Sequence, residues 1–173
     1  MNVEKLDKVI HQLIKPDCYF PGNSRFPLLI YKNVSFLSGQ CPQVTQAWLK
    51  QNSWGYSWFD GVYDYHHYHS NTHETLVIVS GECHIQIGGD NGKSYTVHEG
   101  DVVIVPAGVA HKSVSASSNF RCIGAYPFEV GCDMNYGRRE EYPVAVEQIK
   151  KVGLPEKDPI FGKNGLIFDY WVN

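Results

Sequence analysis

The chain has 173 residues, a length that favours one domain, and 15 basic against 18 acidic side chains leave a net charge of −3, which argues against a nucleic-acid or anionic-membrane surface. With 43% hydrophobic and 19% charged residues, the composition is that of a folded protein able to bury a core without covalent staples. No apolar run approaches the ~18 residues that span a bilayer, and the opening MNVEKLDKVI lacks the apolar core of a signal peptide.

Taken in order, residues 1–15 allow two readings. Leu6, Val9, Ile10, Leu13 and Ile14 follow helical spacing, with Asn2 as a cap and Pro16 as a stop; the same run also suits an edge strand recruited by a sheet. Turn residues between 17 and 27 predict a loop, then a short strand over 28–31. Residues 43–51 suit a helix, and an aromatic stretch with Trp54, Tyr56, Trp58 and Phe59 follows. Trp54 and Trp58 either rim a pocket or cover one sheet.

From Gly61 to Tyr126 the pattern becomes short strands separated by turns, predicted at 62–69, 74–79, 83–87, 95–98, 102–105, 111–115 and 120–126. Such spacing points to a sandwich or barrel, because antiparallel chains must close or cover their edges. Gly88 to Gly92 reads as a hairpin turn and not a phosphate loop, since no helix follows it. Residues 143–151 suit a second helix with Pro143 in its first turn, and the tail 154–171 is expected to wrap back as an apolar cover. The five cysteines (Cys18, Cys41, Cys83, Cys122, Cys132) are odd in number and widely spaced, so they read as reduced thiols of a cytoplasmic protein. Cys83 and Cys122 are expected in the core.

Four of the eight histidines lie between positions 66 and 73, in the run Gly61-VYDYHHYHSNTHETLVIVS-Gly81. On a strand His67 and His69 share a face, and Glu74 opens the next strand, so two imidazoles and a carboxylate reach one first-row metal. A second segment, Gly100 to Ser115, places His111 after a Pro-x-Gly turn, where it would complete a three-histidine, one-carboxylate site with room for water or substrate. His73 is the rival of Glu74 for the fourth place, or else a base at the pocket rim or a solvated turn residue. His66 is expected to face away and pair with Asp64. Tyr63 and Tyr65 share the parity of the paired histidines, so they are expected to point into the barrel as phenols near the metal or as packing. His84 and His98 read as surface residues.

These two segments resemble the cupin superfamily. Its first motif, G-(x)5-H-x-H-(x)3,4-E-(x)6-G, is matched by Gly61, His67, His69, Glu74 and Gly81, a spacing expected by chance in about three chains of this composition in ten thousand. Its second, G-(x)5-P-x-G-(x)2-H-(x)3-N, is matched by Gly100, Pro106, Gly108 and His111, with Ser115 in place of the final Asn. The chain is further similar to uncharacterised bacterial single-domain cupins that share the His66–Glu74 run and the Gly124–Pro127 segment. The resemblance implies an all-β double-stranded β-helix, or jelly roll, with short flanking helices: one domain over 1–173, a barrel core at about 61–126, and flanks 1–60 and 127–173. It also implies that residues 8–15 form a strand.

A divalent Fe, Mn, Ni or Zn is expected, since imidazole and carboxylate suit all four. The favoured expectation is a metal-dependent enzyme with dioxygenase-like chemistry on a small, oxygen-rich organic substrate. A metal-dependent isomerase or decarboxylase, or a non-enzymatic cupin that binds a small ligand beside a structural metal, remain alternatives. Expected partners are a small-molecule substrate and a second copy in a homodimer, with neither nucleic acid nor membrane.

Overall fold

The computed structural model describes residues 8–127 and 131–172. Its nine strands are β1 (Lys8–Ile14), β2 (Asn23–Lys32), β3 (Trp54–Asp60), β4 (Glu74–Ser80), β5 (Glu82–Ile87), β6 (Lys93–His98), β7 (Val102–Val105), β8 (His111–Ala116) and β9 (Arg121–Pro127). Three helices join them: α1 (Pro42–Gln51), α2 (Tyr142–Ile149) and the single-turn α3 (Ile167–Tyr170). The strands form two antiparallel sheets, one of six in the order β1-β2-β7-β4-β9-β3 and one of three in the order β6-β5-β8. This is the all-β jelly-roll architecture that the cupin resemblance implies. No helix among the described residues is long and apolar enough to cross a membrane.

Burial follows the two-residue period of the strands. Leu28, Ile30, Leu76, Ile78, Val103 and Val105 share one core with Cys83, Ile85 and Ile87 of the small sheet. Their neighbours Leu29, Tyr31, Val77, Val102 and Ile104 belong to a second core, with Leu49 of α1 and Ile160, Ile167 and Trp171 of the tail. Strands β2, β4 and β7 are apolar at consecutive positions because both faces of the large sheet are covered. Strand β5 is covered on one face only, so Glu82, His84 and Gln86 alternate with buried Cys83, Ile85 and Ile87.

The N-terminal run takes the strand reading, because β1 finds a partner in β2 from Lys8↔Lys32 to Ile14↔Asn23. Leu13, which a helix would have buried, is exposed. The expected Asn2 cap and Leu6 lie outside the described residues. Strand β2 begins at Asn23, well before the predicted 28, and a register shift between Gln12 and Ile14 carries the pairing past Pro27, which has no N–H to give. The aromatic stretch is itself an edge strand, β3, paired with β9.

The predicted strand over 62–69 is not a regular strand. It runs beside β8 and bonds to it intermittently: Ser113 N donates to Tyr63 O (2.8 Å), and His67 and His111 exchange N–H···O bonds of 3.3 and 3.0 Å. The tail does wrap back, but over the outer face of the large sheet. Trp171 stacks on Phe26 with centroids 4.9 Å apart and donates from Nε1 to Pro27 O at 2.8 Å.

Candidate metal centre

The cluster is assembled from three separate segments. His67 and His69 keep the shared face that their spacing requires, Glu74 opens β4 opposite Val105, and His111 opens β8. The turn before His111 depends on Gly108, whose φ of +86° and closeness to Gly22 O (2.5 Å from a Cβ built there) exclude a side chain. Gly108 N also donates to His69 O at 2.7 Å, which ties the turn to the histidine segment. One ligand atom from each of His67, His69, Glu74 and His111 lies within 4.8 Å of the other three, and all four residues are buried.

Each imidazole is oriented by its own hydrogen bond. Nδ1 of His67 faces Tyr65 O at 3.3 Å, that of His69 faces Asp133 O at 2.5 Å, and that of His111 faces Val109 O at 3.2 Å. A carbonyl only accepts, so each Nδ1 carries a proton, and each ring, when neutral, offers a lone pair at Nε2. Two of these nitrogens meet Glu74 Oε2, which lies 3.3 Å from His69 Nε2 and 3.0 Å from His111 Nε2. His69 Nε2 and Glu74 Oε2 are both buried without a hydrogen-bond partner. Acceptors packed against acceptors need a cation between them, either a proton or a metal ion.

The electrostatics state the same demand. Burial, with His111 beside it, pushes the His67 imidazole down to about 3. Burial opposes charge on His69 too, but the Glu74 carboxylate outweighs it and holds His69 well above the usual imidazole range. Burial also opposes the charge on Glu74, yet His69 and His111 bring it far below the usual carboxylate range. The pocket thus draws one positive charge to a carboxylate ringed by imidazoles. A divalent ion suits that donor set.

A cavity of about 370 Å³ opens onto the cluster. Of the two tryptophans weighed above, Trp58 lines it and Trp54 is in the outer core. Trp58 owes its position to Gly124, where a Cβ would lie 2.1 Å from the indole. Its Nε1 donates to Tyr126 Oη at 2.9 Å, and Tyr126 lines the cavity with its ring 5.5 Å from that of His69. Cys132 and Met134, from the loop after β9, close the same wall. Sequence reasoning missed Tyr126, Cys132 and Met134. Alternation along β9 could have found the first, because Cys122, Gly124 and Tyr126 share the inward face; the loop residues carried no periodic signal.

Three expectations about placement are corrected. Tyr63 and Tyr65 do not point into the barrel: they are 55% and 43% exposed and stack on each other at 4.8 Å, with Tyr63 at the mouth of the cavity and Tyr65 outside it. The parity argument presumed a regular strand, and the chain is irregular there. His73 is neither at the rim nor solvated. It is wholly buried against Phe26 and Trp171, its Nδ1 accepts from Ala107 N at 3.0 Å, and its Nε2 donates to Gly153 O at 3.0 Å. Both nitrogens are in use, so it packs in the core while Glu74 faces the cluster. His66 turns away as expected, but it is buried against Phe20, and the carboxylate it meets, at 3.8 Å, is Asp90 and not Asp64. His84 and His98 lie on the surface as predicted, both beside Glu82.

A cupin domain model matches residues 60–123. The uncharacterised protein YjlB of Bacillus subtilis (strain 168) is 41% identical over 156 residues, covering 90% of this chain and 92% of its own. Among solved structures, procruciferin, an 11S globulin from Brassica napus, is similar at 19% identity and a TM-score of 0.38, over 65% of this chain and 22% of that one. A DUF861 family protein from Thermotoga maritima is similar at 24% identity and a TM-score of 0.32, over 49% of this chain and 90% of its own.

Proposed function

On the premise that the chain belongs to the cupins, we propose that it is a metal-dependent enzyme, with His67, His69, Glu74 and His111 as the ligands and dioxygenase-like chemistry on a small organic substrate. The observation that carries this reading is the pair of orphaned acceptors, His69 Nε2 and Glu74 Oε2, facing each other at 3.3 Å in a buried cluster. Fe, Mn, Ni and Zn all suit the donor set. An ion held there supplies Lewis acidity and, for Fe or Mn, a redox couple.

The chain's own residues then have definite tasks. Three neutral imidazoles leave Glu74 as the one anionic ligand, so a divalent centre keeps a net charge of about +1 and favours an anionic or enolisable oxygen ligand. The backbone carbonyls of Tyr65, Val109 and Asp133 hold the rings in the binding tautomer. Trp58 donates to Tyr126 Oη, which leaves the phenol proton for the Cys132 sulfur beside it on the cavity wall. A closed structural site is the second reading, and the cavity of about 370 Å³ beside the ligands speaks against it, because structural sites are coordinatively complete and enclosed.

The test is metal analysis of the purified protein, followed by O2 uptake with diketones, diols and organic acids. One bound transition-metal ion, lost in His111→Ala and Glu74→Gln, with O2 consumed on substrate addition, is the expected result. Protein that neither carries nor takes up an ion refutes the proposal, and a tightly bound ion that no small ligand can reach favours the structural reading.

A further inference from the structure

The cavity has two unlike ends. Its floor is the four-residue cluster with Tyr126 and Cys132 in the lining as well, and the rest of its wall is an apolar belt of Trp58, Phe59, Val62, Leu76 and Met134. Outside the cluster, Asp60 contributes the one charged side chain to the lining, and no lysine or arginine lines it among the described residues. Small-molecule pockets are commonly apolar, but those that take di-acids or phosphates carry cations to receive the second charge. Here a second anionic group would be buried against hydrocarbon and beside Asp60, an unpaired charge in a poorly polarisable place.

The mouth is aromatic. Tyr63 meets the His67 ring edge-on at 5.3 Å and stacks on Tyr65 at 4.8 Å, and Tyr65 lies 6.0 Å from Tyr136. A run of rings therefore leads from a cluster histidine out to the surface; its outer members are exposed, and the outermost, Tyr136, carries the Arg138 guanidinium 5.1 Å over its ring. Exposed, mutually stacked rings at the entrance of an apolar cavity are suited to receive a flat apolar body.

From this we infer that the ligand of the cavity carries its oxygens at one end only, has an apolar and preferably aromatic body, and bears no second negative charge. The head rests on the metal reading above; the body is read from the lining alone. At about 370 Å³ the cavity is near the lower end of the ~300–1,000 Å³ typical of ligand sites, which suits a single ring with a short head. The oxygen-rich substrate expected from sequence is thereby narrowed, and compact di-acids are excluded from it.

Hydroxamates test this without turnover, because they share one head that offers two oxygens to a metal. Benzohydroxamate, acetohydroxamate and succinic acid monohydroxamate would be titrated calorimetrically into the full-length protein as purified, with metal content measured on the same sample. Benzohydroxamate is expected to bind at least about tenfold tighter than acetohydroxamate, and the carboxylate-bearing probe no tighter than acetohydroxamate. Val62→Arg, at the half-exposed edge of the lining, should move the ranking about tenfold or more toward the carboxylate-bearing probe. A carboxylate-bearing probe that binds best to metal-loaded wild type, or a ranking that Val62→Arg leaves unmoved, overturns the inference. Metal-free protein that still binds benzohydroxamate best supports the apolar body and refutes the metal reading, so the two failures are distinguishable.

Discussion

Glu74 and Asp158 are both buried acids, and they lie on opposite faces of the same six-stranded sheet. Asp158, in the tail, accepts from Tyr31 Oη at 2.7 Å and from the N–H groups of Ile160, Phe161 and Ile167 at 2.8, 2.9 and 3.0 Å. Glu74, inside the barrel, is met by imidazoles and leaves Oε2 without a hydrogen-bond partner. Their titration differs accordingly. Burial among neutral donors pushes Asp158 above the usual carboxylate range, whereas burial of Glu74 is overcome by imidazoles that can carry charge. One face of the sheet completes its polar contacts and so fastens the tail; the other leaves them incomplete and so calls for a cation.

The sharpest way to break this contrast is to remove both carboxylates in turn. Asp158→Ala strands a buried hydroxyl and three backbone N–H groups, and should cost about 3–5 kcal/mol in denaturant unfolding. Glu74→Gln should leave metal-free stability within about 1 kcal/mol, because without the carboxylate His69 returns to neutral and the amide can donate to its lone pair. Equal losses for the two variants would erase the distinction between the faces.

Next in size is the ion itself. Metal at ~1,000 times its dissociation constant should add about 4 kcal/mol to wild type. For a chain of this length that is a rise in Tm of roughly 8–16 °C, read by calorimetry with and without chelator. Glu74→Gln should show little of that rise, and Asp158→Ala should show it in full from a lower baseline.

A smaller effect tests the support around the ligands. The Asp133 carboxylate accepts from Ser70 N at 2.7 Å and Asn135 Nδ2 at 3.0 Å, which holds in place the backbone carbonyl that orients His69. Asp133→Ala should weaken metal binding about tenfold in a competition titration. The smallest effect is on the outer face of the small sheet, where Glu82 meets His98 at 2.9 Å in solvent. Glu82→Ala should change unfolding stability by less than ~0.5 kcal/mol, and a larger change would mean that this face is not free.

Much of the cluster could be read from local spacing. His67 and His69 are two residues apart, so any extended chain puts them on one side, and a Pro-x-Gly turn sets His111 at the head of its strand. The same reasoning failed four residues upstream, where Tyr63 and Tyr65 were carried inward by parity although the chain there is no longer a regular strand. His73 shows the other limit. It adjoins Glu74 in sequence, yet its two nitrogens are claimed by Ala107 and Gly153, partners that only the folded chain brings near.

By itself, then, the sequence determined what depends on neighbours along the chain: the two-residue alternation of β5, the continuous apolar runs of β4 and β7, the helices α1 and α2, and a histidine–glutamate spacing fit for a metal. Tertiary structure decided what depends on contacts between distant segments. It made a strand of residues 8–14 by offering them an edge, split Trp54 from Trp58 between two cores, and brought Tyr126, Cys132 and Met134 to the cavity wall. Local periodicity says which way a side chain leaves the backbone; what it meets there is set by how the sheets close, and that is a property of the whole chain.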